Sequence, residues 1–136
     1  MIVKRNIVIL VLGLVSHLSA VAAGHMDWTK VINAIIHVES RGDVNAVSGL
    51  SVGPMQITPI LVEECNQILS EKKSKVRYTL ADRRDVKKSM EMFLLFQEKY
   101  NPENDVERAI RSWNGGPRYK LKTTNSYYKK VLAAME

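Results

Sequence analysis

One acidic residue, Glu39, stands where a chain of this kind has little structural use for it. Trp28, Val31, Ile32, Ile35 and Ile36 recur at the three-and-four spacing of a single helix face, and one further step along that series lands on Glu39. Its carboxyl group therefore shares the face that should pack inward. Partial burial disfavours the charged form and lifts the pKa toward the range in which a carboxylic acid serves as a general acid near neutral pH. The helix pattern alone leaves a second reading open, a frayed helix end with Glu39 in water or paired with Arg41.

The segment that follows has the residue types of a cleft wall. Gly42, Gly49 and Gly53 punctuate a loop that contains Ser48 and Ser51 and closes on Pro54-Met55-Gln56-Ile57-Thr58-Pro59. Glycine lets backbone approach a ligand closely, and Gln offers both a donor and an acceptor to sugar hydroxyls or N-acetyl groups. Taken singly, each of these residues is also ordinary turn chemistry.

Together they form recognisable blocks. Glu39-Ser40 with Asn45-Ala46-Val47-Ser48, followed by Ser51-Val52-Gly53-Pro54-Met55-Gln56-Ile57-Thr58-Pro59, resembles the first two signature blocks of the soluble lytic transglycosylases, whose catalytic domain is similar to goose-type lysozyme. Ala109-Ile110-Arg111-Ser112-Trp113-Asn114-Gly115-Gly116-Pro117 is similar to that family's Ala-x-x-x-Tyr-Asn-(Ala/Gly)-Gly-Pro. Thr124 to Val131 resembles its closing Thr-x-x-Tyr-x-x-x-Val, with Tyr127 at the Tyr position. The blocks stand in family order and span nearly all of the chain after Gly24. There are departures: the Glu39-to-Gln56 interval is slightly short, Pro54 replaces an apolar residue, and Trp113 replaces the usual Tyr. An indole keeps the aromatic surface and one donor.

The resemblance implies cleavage of the β-1,4 bond between N-acetylmuramic acid and N-acetylglucosamine of peptidoglycan, leaving a 1,6-anhydromuramyl end, with Glu39 as the single catalytic acid/base. It places Ser48 near that acid and the substrate, and Met55, Gln56, Trp113, Asn114 and Tyr127 along the sugar-binding groove. Trp113 also continues the Val106, Ala109 and Ile110 face, so one ring face packed and one edge open is expected; Asn114 also reads as a helix C-terminal cap before Gly115. A lysozyme-type hydrolase would commonly use two carboxylates roughly 5 to 9.5 Å apart. Asp43, the only nearby candidate by sequence, reads as a turn residue after the helix. The alternatives are a goose-type lysozyme hydrolase and a non-catalytic peptidoglycan-binding module that kept the fold. A binder has no need of an acid on an apolar helix face.

The elements that must position these groups are helical almost throughout. The fold class expected is mainly α, a lysozyme-like helical domain with little or no β structure. Asp27 is placed to cap the first helix and Gly42 to end it. A second helix starts at Thr58-Pro59 and runs through Ile60, Leu61, Cys65, Ile68 and Leu69. The charged stretch from Ser70 to Lys75 reads as a solvated connection. Asp82 or Asp85 opens a third helix whose broad apolar face (Val86, Met90, Met92, Phe93, Leu94, Leu95, Phe96) predicts the central element, stopping before Asn101-Pro102. A shorter helix carries Val106, Ala109, Ile110 and Trp113. The last, after Thr124, lines up Tyr127, Val131 and Met135. Val44 to Val52 has room for a small hairpin.

Bulk properties bound the setting. The 136 residues suit one domain. Lys4 and Arg5, the apolar stretch Ile7 to Val15, and the small-residue run Ala20-Val21-Ala22-Ala23-Gly24 have the build of a secretory signal peptide over residues 1–23, with cleavage expected after Ala22 or Ala23. The apolar core is about half of the roughly 20 residues a membrane-crossing helix needs. Export to the periplasm or cell envelope is expected, and removal of Lys4 and Arg5 lowers the formal charge from +6 to +4. A modest positive surplus suits a carboxylate-rich polymer such as peptidoglycan, whereas scattered basic residues do not suit nucleic acid. The small size suggests a monomer serving an envelope-spanning secretion or conjugation apparatus. Cys65 is the lone cysteine, expected to be a buried structural thiol. No cofactor is implied, and no metal: His17, His25 and His37 have no Cys or acid cluster at ligand spacing.

Overall fold

Residues 25–136 are described by the computed structural model; the expected leader and its cleavage point lie outside them. Helix α1 spans Thr29–Ser40, and Asp27 opens it by accepting the Thr29 N–H at 2.9 Å. The predicted stripe buries Trp28, Val31, Ile32 and Ile35. Arg41 and then Gly42 take left-handed φ values of 53° and 84°, so the break comes one residue earlier than the glycine suggests. Ser40 holds this strained end: its hydroxyl donates to the Pro54 carbonyl at 2.7 Å and accepts the Gly42 N–H at 3.0 Å.

The Gly/Ser-rich stretch does fold as a hairpin. Strand β1, Val47–Ser48, pairs antiparallel with β2, Ser51–Val52, setting Val47 opposite Val52 and Ser48 opposite Ser51. Gly49 opens the two-residue turn at φ 58°, the sign that such a turn favours. A bridge between Val52 and Ile57 then folds the Pro54-Met55-Gln56 segment back on β2.

Helix α2, Pro59–Glu71, begins as predicted with Thr58 accepting the Leu61 N–H. It runs on into the stretch read as a connection. Val62, Cys65, Ile68 and Leu69 are buried, but Ile60 is 77% exposed, because the first turn points that side chain away from the core. Asp82 and Asp85 each cap something. Asp82 completes a capping box with Thr79 on a short 3₁₀ helix, Leu80–Arg84, and Asp85 accepts the Lys88 N–H at the start of α3, Val86–Tyr100.

α3 supplies the centre of the core through Met92, Phe93 and Phe96. Phe93 sits between Trp28 and Trp113, with ring centroids 5.7 and 5.3 Å away. The apolar face is narrower than its sequence suggests, since Val86 and Leu94 are exposed. After the expected stop at Asn101, that residue bonds both the N–H and the carbonyl of Asp105, which in turn caps α4, Val106–Gly115. α5 spans Leu121–Ala134. It starts earlier than expected: Thr124 lies inside the first turn, buried, with its hydroxyl donating back to the Lys120 carbonyl at 2.8 Å. α5 packs against both α1 and α4. The mainly α expectation holds, with one small hairpin, and among the described residues no helix is long and apolar enough to cross a membrane.

Candidate active site

Glu39 lies in the last turn of α1, half-buried, on the side that meets α5. Burial raises its carboxyl above the ordinary value of 4.5, and the Tyr127 hydroxyl partly offsets the rise. That hydroxyl falls short of hydrogen-bond geometry, so it is buried without a partner among the described residues. Burial first, and then the nearby Glu39, push the Tyr127 phenol far above its usual range, so it stays protonated. Among the described residues no cation stands within ion-pair distance of Glu39. Pairing with Arg41 and full exposure to water are thereby both set aside.

The hairpin segment is anchored to this acid through the neighbouring residue, by the Ser40 bond to Pro54. Gln56 takes φ 52°, and its amide nitrogen donates to the carbonyls of Gly53 at 2.9 Å and Ala46 at 3.2 Å. Its donors are thus spent on closing the loop, and Oε1 is left as an acceptor. Ser48 lies exposed on β1 and lines no cavity described below. Met55 corrects the sequence reading in one respect: its side chain is fully buried, so it supports the groove from the core and offers it no surface. Asp43 accepts the Asn45 N–H at 2.8 Å, the Asx turn expected of it.

A cavity of about 270 Å³ opens beside this segment, lined among others by Gln56, Trp113 and Asn114. Glu39 is not among its lining residues; the bond that runs between the two regions is that of Ser40, next to Glu39, to the Pro54 carbonyl, two residues before Gln56. Trp113 is both packed and partly open. Its ring packs on Phe93 and Phe96 while remaining partly exposed, and its N–H is turned inward to the Met55 carbonyl at 3.1 Å. Asn114 is exposed and inside α4; Gly116, at φ 80°, takes the cap, donating to the Ser112 carbonyl.

Sequence reasoning missed part of the cavity wall. Ile60, Leu61, Glu64, Phe96 and Tyr100 also line it. Ile60 and Phe96 read as core in an apolar series, and no motif singles out Glu64 or Tyr100. Only the fold shows that α2 and α3 present them beside Trp113. Tyr100 donates to Glu64, which also pairs with Lys99 at 3.1 Å; the Tyr100 bond, then Lys99, hold the Glu64 carboxyl below its ordinary value. Among the described residues no group of three or more His, Cys, Asp or Glu side chains gathers as a metal site would require.

Comparison with known proteins adds one finding. A family model described as Transglycosylase SLT domain matches residues 18–134, beginning within the segment read as a leader. No curated protein and no solved structure matches the chain.

Proposed function

The chain belongs to the transglycosylase SLT domain family, whose activity is lytic cleavage of peptidoglycan, and on that premise we propose that it cuts the β-1,4 bond between N-acetylmuramic acid and N-acetylglucosamine to leave 1,6-anhydromuramyl ends. Glu39 is the acid and the base. Protonated, it donates to the glycosidic oxygen as the bond to C1 breaks; as carboxylate, it takes the proton of the muramyl C6 hydroxyl while that oxygen bonds to C1. No water is consumed. The nucleophile belongs to the substrate, so one carboxyl group suffices for both transfers.

The observation that carries this reading is the half-buried, cation-free carboxyl of Glu39, held toward its neutral form by desolvation. A pure binder would gain nothing from such a group. The engagement of Asp43 in its own turn supports a single-acid mechanism over a two-carboxylate hydrolase. The leader-like N-terminus supports action in the periplasm or cell envelope, where the small size suits local wall opening beside a secretion or conjugation apparatus.

Digestion of purified peptidoglycan followed by mass analysis of the muropeptides tests the proposal. Products lighter than lysozyme products by one water are expected. Hydrated reducing ends would assign a hydrolase instead, and binding without released fragments would assign a glycan-binding module.

A further inference from the structure

Arg111 is only 6% exposed, yet its guanidinium is permanently charged and it does not line the groove. A charge taken out of water persists where its donors are matched. Here Nε donates to Glu107 at 2.7 Å, Nη1 to the Leu121 carbonyl and to the Thr124 hydroxyl at 3.1 Å each, and Nη2 to Asn125 Oδ1 at 3.5 Å. The guanidinium also lies 4.3 Å from the centre of the Tyr128 ring. All of these partners except Glu107 belong to α5. The two helices meet closely at this point, since a Cβ on Gly115 would come within 2.8 Å of Thr124 Cγ2. Through Arg111, α4 grips the first two turns of α5.

We propose that Arg111 is a positioning residue for the cleavage site: by clamping Thr124 and Tyr128 it fixes the rotation of α5 at which Tyr127 is presented to Glu39. The inference rests on the reading of Glu39 as the acid/base. Tyr127 and Tyr128 are adjacent and so point about 100° apart around the helix. Holding Tyr128 on the guanidinium therefore sets the direction of Tyr127, toward α1, the other helix against which α5 packs. The Tyr127 hydroxyl has no hydrogen-bond partner of its own among the described residues, so its tip does nothing to fix the register. Other ionisable groups near the end of α1, namely His37 and Arg41 with Lys130 of α5, line a separate shallow cleft. On the α1–α5 contact, burial raises the Glu39 carboxyl and the buried Tyr127 hydroxyl partly offsets that rise.

The test follows the Glu39 carboxyl by carbon NMR titration in the wild type, Arg111→Met, Tyr127→Phe and the double variant, alongside muropeptide release. Removing the Tyr127 hydroxyl is expected to raise the Glu39 midpoint further, since that hydroxyl opposes the rise that burial imposes. Arg111→Met is expected to raise it in the same direction, with no further rise in the double variant, and to lower kcat on the order of tenfold or more with KM little changed. Arg111→Lys, which keeps the charge but loses the fork, is expected to restore only part of the loss. Should Arg111→Met fail to fold, Thr124→Val removes one clamped acceptor and is expected to raise the midpoint likewise. An unmoved midpoint in a folded variant, or a shift that adds in full to that of Tyr127→Phe, overturns the positioning role. The titration needs no turnover, so a protein that cleaves no glycan would refute the functional reading while leaving this result to stand or fall separately.

Discussion

The indole N–H of Trp113 meets the main-chain carbonyl of Met55 at 3.1 Å, and through that bond the α4 wall of the groove is fastened to the segment between the hairpin and α2. Trp113→Phe keeps an aromatic ring and leaves the Met55 carbonyl without its donor. A loss of about 1 to 3 kcal/mol is expected in chemical denaturation. A midpoint and slope equal to those of the wild type would show that the bond contributes nothing.

Two glycines with nearly equal φ should respond differently to the same change. Gly53 and Gly42 have φ of 85° and 84°, but a Cβ on Gly53 would lie 1.8 Å from the Arg83 carbonyl oxygen while one on Gly42 meets nothing within 4 Å. Gly42→Ala is expected to cost about 1 to 2 kcal/mol, the price of the left-handed conformation alone. Gly53→Ala should cost about 3 kcal/mol or more, because the 3₁₀ helix must also move. Equal losses in parallel melts would contradict the close approach.

Much of this arrangement was legible in the residues. The step from Ile35 and Ile36 to Glu39 located a half-buried carboxyl because helix periodicity converts spacing into direction, and Thr58-Pro59 marked the start of α2 because a hydroxyl cap and a proline have few other uses together. The hairpin was legible only as room for one. What stayed hidden depends on contacts between distant segments. Met55 reads like any groove residue until the fold closes over it. Ile60 reads as core because its series does not say where the first turn points. Nothing in the spacing around Arg111 says that α5 is laid across it, and Thr124 looks like a helix start because threonine caps helices more often than it bonds back inside one.

The raised Glu39 carboxyl has a consequence for stability. Its folded-state pKa lies above the ordinary 4.5 of the unfolded chain, so the folded state holds the proton more tightly. Stability from this group is therefore full below the unfolded value and is lost as pH rises through the folded one. Glu39→Gln cannot ionise and escapes the loss. The variant is expected to melt at a higher temperature than the wild type near neutral pH, with the margin shrinking as pH falls toward about 4. A margin that widens on acidification would reverse the sign of the effect.

Cys65 is fully buried and its Sγ–H donates to the Met92 carbonyl at 3.5 Å. Burial pushes the thiol up to about 12, so almost no thiolate exists at neutral pH. Aromatic disulfide reagents are expected to label it only after denaturant unfolds the protein. Rapid stoichiometric labelling of the native chain would mean that the α2–α3 packing is open.

The most direct measurement compares the rates at which the wild type and Glu39→Gln release fragments from purified peptidoglycan under identical conditions. A carboxyl that both gives and retakes the transferred proton predicts a fall on the order of a hundredfold to ten-thousandfold, with the variant still folded and still retained on the polymer. Release of the same fragments at an undiminished rate would contradict the account, since an amide can neither donate that proton nor recover it.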